Sequence, residues 1–487
     1  MSPLNRHLRL SIYPKPKTNS LTIMIMQRLM FTSLMMASML AEAADQAGTG
    51  AQAAAPAAGR KYSPNWESID QRPLPGWFNE AKFGIFIVWG PYSVPAYAPN
   101  GYAEWYWKRS LDDKDATRAF HLKHYGKDFK YEQFGAMLTG ELFDADFWAD
   151  IVARSGAKYI SFSVNYHDGF AMWPTKYAMT ANTNQWNAMV TGPKRDVTGE
   201  LRTAMEKRGI KFGIYYSLME WYHPLWAAGK REQFSQEWMH PKFKEVVANY
   251  EPWCIFLDGE WQSTDKVFHT EELAAWLYNE SSVKDRVVVN DRWGSGRAKH
   301  GDIYSSEYGG GQGWKDHPWQ EDRGIGESYG FNRHENFAHY NSVAKLIDML
   351  TKCMMNGGNL LLDIGPTADG RIPVIMQDRL VQIGEWLAVN GEAIYGSRPW
   401  RVTHEGDVRY TTKGKDLYAI CMKWPGNPLV LNEPKPAAGT VITMLGLKEP
   451  VPWEMKDGKL HIQTPQLTVD KLPCQHAWIL KIPGAAP

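Results

Sequence analysis

Cysteine is scarce in this 487-residue chain. The four present, Cys254, Cys353, Cys421 and Cys474, are too few for a disulfide framework and none is spaced as CxxC. Cys254 sits in a strand-like run and Cys353 in a helical one, so both read as buried thiols; a Cys421–Cys474 bridge is compatible with the sequence but has no motif behind it. Excess charge is also missing. The 54 Lys and Arg against 53 Asp and Glu leave a net +1, and there is no dense basic run. That removes the long-range attraction to nucleic acid or anionic membrane, so the expected partner is neutral or charged only locally. No HExxH pair is present, which argues against a metal hydrolase, and no cofactor is expected. A GxSxG nucleophile turn and a Gly-rich phosphate loop after the first strand are absent too, which argues against a serine hydrolase and a dinucleotide fold.

Aromatic residues are abundant, with 22 Trp and 23 Tyr. Flat apolar rings with one polar edge suit sugars, whose C–H faces are apolar and whose rims are hydroxyls, though a large core uses the same residues. With 44% hydrophobic and 22% charged residues, the balance is that of a folded globular chain. The amino-terminal stretch reads as an address. Arg28 precedes an apolar segment, 29–40, too short to span a bilayer, and Ala41-Glu42-Ala43 has the small-x-small form of a cleavage site. Export to a periplasm or to the medium is expected, with Met24 or Met26 as alternative starts. Residues 1–61 are read as signal peptide plus an Ala/Gly-rich leader.

From residue 62 the chain alternates. Strand-like runs fall at FGIFIVWG (83–90), AKYISFSVN (157–165), KFGIYYS (211–217), CIFLD (254–258), VVVNDRW (287–293), DIYSSEYG (302–309), a weaker one at 328–332, and NLLLDIGP (359–366). Helical periodicity at 147–155, 201–208, 243–250, 273–278 and 343–355 separates most of them. Eight strands with helical crossovers imply a parallel sheet and favour a (β/α)8-like barrel over residues 62–396, an α/β fold; an open doubly wound sheet is the alternative. After a helix at 378–390 the pattern changes to short alternating strands broken by Gly and Pro. Residues 397–487 therefore read as a small antiparallel β-sandwich.

Barrels bind ligands beyond the carboxyl ends of their strands. Trp89, His167, Asp168, Tyr215, Asp258, Arg292 and Glu307 fall at those ends. Asp258 closes the apolar run before Gly259, where it either faces a pocket or caps the following turn. Two carboxyls on separate strands in an aromatic pocket are what glycosidic bond cleavage needs, one to attack or activate water and one to protonate the leaving oxygen.

Ordered segments from Trp77 to Trp478, namely KFGIFIVWGPYSVPA, EWYW, YHDGF, GPKRDVTGEL, FGIYYSLMEWYHP, LDGEW, VVVNDRWG, NLLLDIGPTADG, NGEAIYGSRPW and ITMLGL, resemble glycoside hydrolase family 29, the α-L-fucosidases, and especially the animal lysosomal branch. The resemblance implies a barrel with a carboxy-terminal sandwich and a retaining, metal-free double displacement. It carries the nucleophile to Asp258 and the acid/base to Glu307, with Glu260 in reserve. It also implies sugar contacts from Glu104, Trp105, His167, Tyr215 and Arg292, and an aromatic surround of the C5 methyl by Phe86, Phe256 and Tyr329. The substrate implied is an α-L-linked terminal sugar of an oligosaccharide or glycoconjugate; a homo-oligomer is compatible with the sequence.

Two departures stand out. The family's FIHWG is here FIVWG, with Val88 in place of a histidine, and its KHH is Asn165, Tyr166, His167. Both lost histidines belong to recognition of ring hydroxyls, including the axial C4 hydroxyl of fucose. The expectation is cleavage chemistry with an altered glycone, such as an α-L-glucoside or another α-L-hexopyranoside. A non-catalytic sugar-binding protein on the same scaffold is the competing class, against which the retained Asp258 and Glu307 argue.

Overall fold

The computed structural model describes residues 60–486 apart from 297–299, 312 and 315. The amino-terminal address and its cleavage motif lie outside the described residues. Eight strands form one parallel sheet: β1 (Phe83–Ile87), β2 (Tyr159–Asn165), β3 (Ile214–Ser217), β4 (Cys254–Asp258), β5 (Val288–Val289), β6 (Tyr304–Glu307), β7 (Trp319–Gly324) and β8 (Asn359–Ile364). Their order, β5-β4-β3-β2-β1-β8-β7-β6, puts β1 beside β8 and leaves β5 and β6 at the two edges. A single parallel bridge between Asn290 and Ile303 joins those edges, with Asp302 and Ile303 both donating to the Val289 carbonyl. The sheet thereby curls into a barrel, with all its strand ends facing one way.

β1, β2, β4 and β8 are buried along their whole length, which is why they read as apolar runs without alternation. The connecting helices include Ala145–Arg154, Val197–Glu206, His240–Tyr250, Thr270–Asn279 and Val343–Met355. Asp144, Asp196 and Ser342 cap three of them by accepting a backbone N–H from the first turn.

Two expectations are corrected. The seventh strand is not at 328–332, which is loop, but at Trp319–Gly324. Its sequence, WQEDRG, is polar yet mostly buried. Gln320 accepts from Tyr159 Oη at 2.6 Å, and the Glu321 carboxylate accepts from the amides of Gly310, at 2.9 Å, and Gly311. Pairing inside the fold hides a polarity that sequence patterning reads as surface. The fifth strand is also much shorter than 287–293. Beyond Val289 side chains take over the ladder: Asn290 exchanges hydrogen bonds with the Leu257 backbone at 2.9 and 3.0 Å, and Asp291 accepts from the Ser305 amide at 2.9 Å.

From Arg398 on, two antiparallel sheets face each other. One has five strands, β13 (Thr443–Met444), β16 (Trp478–Ile482), β11 (Asp416–Cys421), β10 (Val408–Lys413) and β9 (Arg398–Glu405) in that order. The other has three, β12 (Leu429–Leu431), β15 (Lys459–Ile462) and β14 (Trp453–Lys456). Tyr410, Leu417, Leu431, Leu460, Ile462 and Ile482 belong to the separate core formed there. All four cysteines are free thiols, so Cys421 and Cys474 are not bridged.

Candidate active site

At the carboxyl ends of the strands lies a cavity. Phe86, Val88, Tyr102, Trp105, Tyr166, His167, Tyr215, Phe256, Asp258, Trp261, Arg292, Glu307, Asp322 and Tyr329 line it. Asp258 is the last residue of β4, and Gly259 follows at φ +81°, a conformation that strains any L side chain; a Cβ there would meet Met219 Cγ at 2.8 Å. The sharp turn leaves the carboxyl at the cavity wall. Arg292 Nη1 donates to Asp258 Oδ1 at 2.7 Å, Tyr215 Oη donates to Oδ2 at 2.7 Å, and His167 Nε2 lies 3.4 Å from Oδ2. Burial alone would raise this carboxyl, but the Arg292 guanidinium and the Tyr215 hydrogen bond outweigh it and hold it well below the usual carboxylate range.

His167 is oriented from behind. Ser217 Oγ donates to the Met219 carbonyl at 2.6 Å and so accepts from His167 Nδ1 at 2.7 Å. The proton is therefore on Nδ1, and Nε2 is aimed into the cavity. Arg292, 3% exposed, is fixed by Ser305 Oγ at 3.2 Å from its Nε and by the Phe256 ring 5.2 Å beneath it. Its other terminal nitrogen, Nη2, donates to Glu307 Oε2 at 3.2 Å. One guanidinium thus bridges the two carboxyls chosen from sequence.

Glu307 ends β6, and Tyr102 Oη donates to its Oε1 at 2.6 Å. Tyr102 reaches it from a left-handed backbone at φ +57°, and Tyr308, directly after Glu307, is left-handed as well at φ +51°. Such conformations are strained for aromatic residues and persist where the surroundings fix them. Glu307 keeps more contact with solvent than Asp258, its side chain 29% exposed against 12%. Trp105 stacks with Trp261 at 6.2 Å between ring centroids, and Phe86 packs with Tyr215, Phe256 and Tyr329 at 5.6, 5.4 and 5.9 Å. The two sets of rings supply two aromatic walls.

Of the residues expected from sequence, Asp258, Glu307, Trp105, His167, Tyr215, Arg292, Phe86, Phe256 and Tyr329 come together around this cavity. Glu104 and Trp89 do not. Glu104 is buried behind the wall, where its Oε2 accepts from the Gly330 amide at 2.8 Å and Ser328 Oγ at 3.3 Å, clamping the loop that carries Tyr329; burial pushes its pKa up to about 7. Trp89 points away, donating to the Thr367 carbonyl at 2.9 Å and packing on Phe143 and Trp148. The reserve acid Glu260 is buried outside the cavity, its Oε1 3.9 Å from Arg292 Nη1. Val88 and Tyr166 do face the cavity.

Sequence reasoning passed over Tyr102, Trp261 and Asp322. Trp261 stands inside the LDGEW segment and Tyr102 two residues before Glu104, so both were within reach. Asp322 was hidden by the misplaced seventh strand. Burial drives its carboxyl up to about 8 against the opposing pull of Arg292, and the nearby Glu307 pushes the same way.

Residues 49–392 match the family model described as alpha-L-fucosidase, and residues 402–483 match that of the alpha-L-fucosidase C-terminal domain. The chain is similar to the tissue alpha-L-fucosidase of Bos taurus, with 40% identity over 437 residues covering 87% of this chain and 92% of that one. Similarity to the tissue alpha-L-fucosidase of Homo sapiens is equal in identity, over 439 residues and the same shares. Among solved structures, the alpha-fucosidase of Thermotoga maritima superposes with a TM-score of 0.75 at 33% identity, covering 87% of this chain and all of that one. A second crystal structure of that enzyme, in complex with a mechanism-based inhibitor, gives the same score at 32% identity, covering 87% of this chain and 100% of that one.

Proposed function

The chain belongs to the α-L-fucosidase family of glycoside hydrolases, and on that premise we propose that it is an exo-α-L-glycosidase working by double displacement with retention at the anomeric carbon. Asp258 attacks C1 of a terminal α-L-linked sugar while Glu307 gives its proton to the departing glycosidic oxygen. The bond from C1 to the aglycone breaks as the ester to Asp258 forms. Glu307, now a carboxylate, takes a proton from water; the water oxygen attacks C1 and releases Asp258 as a carboxylate. His167 Nε2 accepts from a sugar hydroxyl, and Trp105, Trp261 and Phe86 hold the C–H faces.

The observation that carries this reading is the shared guanidinium. Arg292 holds one oxygen of Asp258 at 2.7 Å and one of Glu307 at 3.2 Å, so carboxyls from two strands converge on one point in an aromatic-walled cavity. A retaining pair stands roughly 5 to 5.5 Å apart, which is the separation this reading requires of Asp258 and Glu307. The depressed Asp258 supports the role of nucleophile, since only its ionised form attacks. A merely sugar-binding protein has no need of that constellation.

For the glycone, the family name points to α-L-fucosides. The wall itself favours a second reading: Val88 offers no hydrogen bond, and a sugar hydroxyl buried against it would lose about 1 to 3 kcal/mol. A C4-inverted sugar such as an α-L-glucoside takes the axial hydroxyl away from that position. The enzyme is placed outside the cytoplasm on the strength of the 29–43 address segment; among the described residues no helix is long and apolar enough to cross a membrane.

The test is hydrolysis of aryl α-L-glycosides followed by proton NMR. The first-formed sugar is expected to be the α anomer, with slow mutarotation afterwards. The β anomer appearing first would overturn the double displacement.

A further inference from the structure

Asp322 lines the cavity, and the proposed displacement does not use it. The residue is 2% exposed; Tyr329 Oη donates to its Oδ2 at 3.0 Å, and its Oδ1 makes no hydrogen bond. Its charged neighbours are Glu307 and Arg292, while Tyr329, which holds it, packs on Phe86, and Phe86 on Phe256. A buried carboxyl oxygen without a partner is costly, and a ligand hydroxyl would satisfy it.

We propose that Asp322 receives the C6 hydroxyl of the glycone, so that the pocket selects L-hexosides with a hydroxymethyl group at C5 over their 6-deoxy counterparts. The inference rests on the reading of this cavity as the glycone pocket with Asp258 at C1. Two observations single out C6. Asp322 is the Cα partner of Glu307 on the neighbouring strand, and neighbouring strands lie about 4.8 Å apart. A side chain beside the acid that serves the C1 substituent reaches one of the two groups that flank it, the C2 hydroxyl or, across the ring oxygen, C6. Of those two, the rings beside Asp322 favour C6. Ring hydroxyls sit directly on the ring carbons, whereas O6 stands at the end of a CH2 arm whose hydrogens pack on aromatic faces. Burial keeps the Asp322 carboxyl largely protonated at neutral pH, so it can donate to O6 as well as accept.

Four aryl α-L-glycosides test this: galactoside against fucoside, and glucoside against 6-deoxyglucoside. Each pair differs only at C6, and the two pairs differ from each other only at C4. Wild-type kcat/KM is expected to favour the 6-hydroxy member of each pair by roughly tenfold or more. Asp322→Leu should lower that ratio by roughly tenfold or more, and Asp322→Asn, which can still bond a hydroxyl, should hold it within about threefold. A wild-type preference for the 6-deoxy member of both pairs overturns the assignment while leaving the hydrolase reading intact, and so does a ratio that survives Asp322→Leu. Failure to hydrolyse any of the four overturns the reading of the cavity, and this inference with it. Should Asp322→Leu not fold, the wild-type ratios and the inhibition constants of free L-galactose against L-fucose decide the matter.

Discussion

Arg292 is the residue on which the site's electrostatics turn. Both carboxyls and Ser305 hold it, and the Phe256 ring supports it, so it cannot be replaced by a charge of another shape. Arg292→Met should lower kcat/KM by roughly 10² to 10³, the usual effect of losing one preorganised donor, and Arg292→Lys should recover little, because an ammonium cannot bridge two acids. Asp258→Asn should cost roughly 10³-fold or more in kcat while the inhibition constant of the free sugar moves far less. Both are checked by steady-state kinetics beside a binding measurement. At this scale most of the site was legible in the sequence, because its side chains sit at the ends of apolar strands. Glu104 and Trp89 were misread for one reason: adjacency in the chain does not say which side of the wall a side chain takes. Glu104 turns to Gly330 and Trp89 to Thr367.

The strands differ in how plainly they announce themselves. β1, β2, β4 and β8 are apolar because both their faces are covered, and apolar runs are what pattern reading detects. β7 carries Gln320, Glu321, Asp322 and Arg323 into the fold and satisfies most of them through partners on other elements, including Tyr159, Gly310 and Tyr329, all remote from local periodicity. Its position could not be read without them. A second buried polar network ties the helix His240–Tyr250 to the loops beyond β2 and β3. Lys242 Nζ donates to Glu220 Oε1 and Asn165 Oδ1, each at 2.7 Å, and to the Gly169 carbonyl at 3.2 Å. With the pair 0% and 2% exposed, Lys242→Met would strand Glu220 in the interior. Chemical denaturation should show a loss of about 3 to 5 kcal/mol, and adding Glu220→Gln should return much of it.

Barrel and sandwich are fastened by directed contacts as well as by apolar packing. Trp386 Nε1 donates to the Ala477 carbonyl at 2.9 Å, Tyr418 Oη donates to Glu392 at 2.8 Å, and Arg409 pairs with Asp348. Tyr418, Ile420, Ala477 and Ile479 share the barrel's own core cluster, so calorimetry should show one unfolding transition. The molecule also carries several carboxyls raised by burial: Asp168 to about 6, Glu104 to about 7, Asp322 to about 8, and Asp363 well above its ordinary value. These keep their protons in the folded state after the unfolded chain has lost them, so stability must fall as pH rises through that range. Below about 6.5 the buried His121, His223 and His240, whose pKa values are lowered, act the other way, since the unfolded chain takes up protons that the folded one refuses. The melting temperature should therefore decline from pH 6.5 to 8, and Asp322→Asn should flatten that decline.

Azide rescue of two glycine variants tests the division of labour most directly. In Asp258→Gly, azide fills the space of the lost nucleophile, and an aryl α-L-glycoside with a good leaving group should yield the β-L-glycosyl azide. In Glu307→Gly the ester to Asp258 still forms, and azide arriving from the leaving-group side should yield the α-L-glycosyl azide. The opposite pairing of variants and anomers, or a Glu260→Gly variant that gives the α azide while Glu307→Gly gives none, would contradict the account.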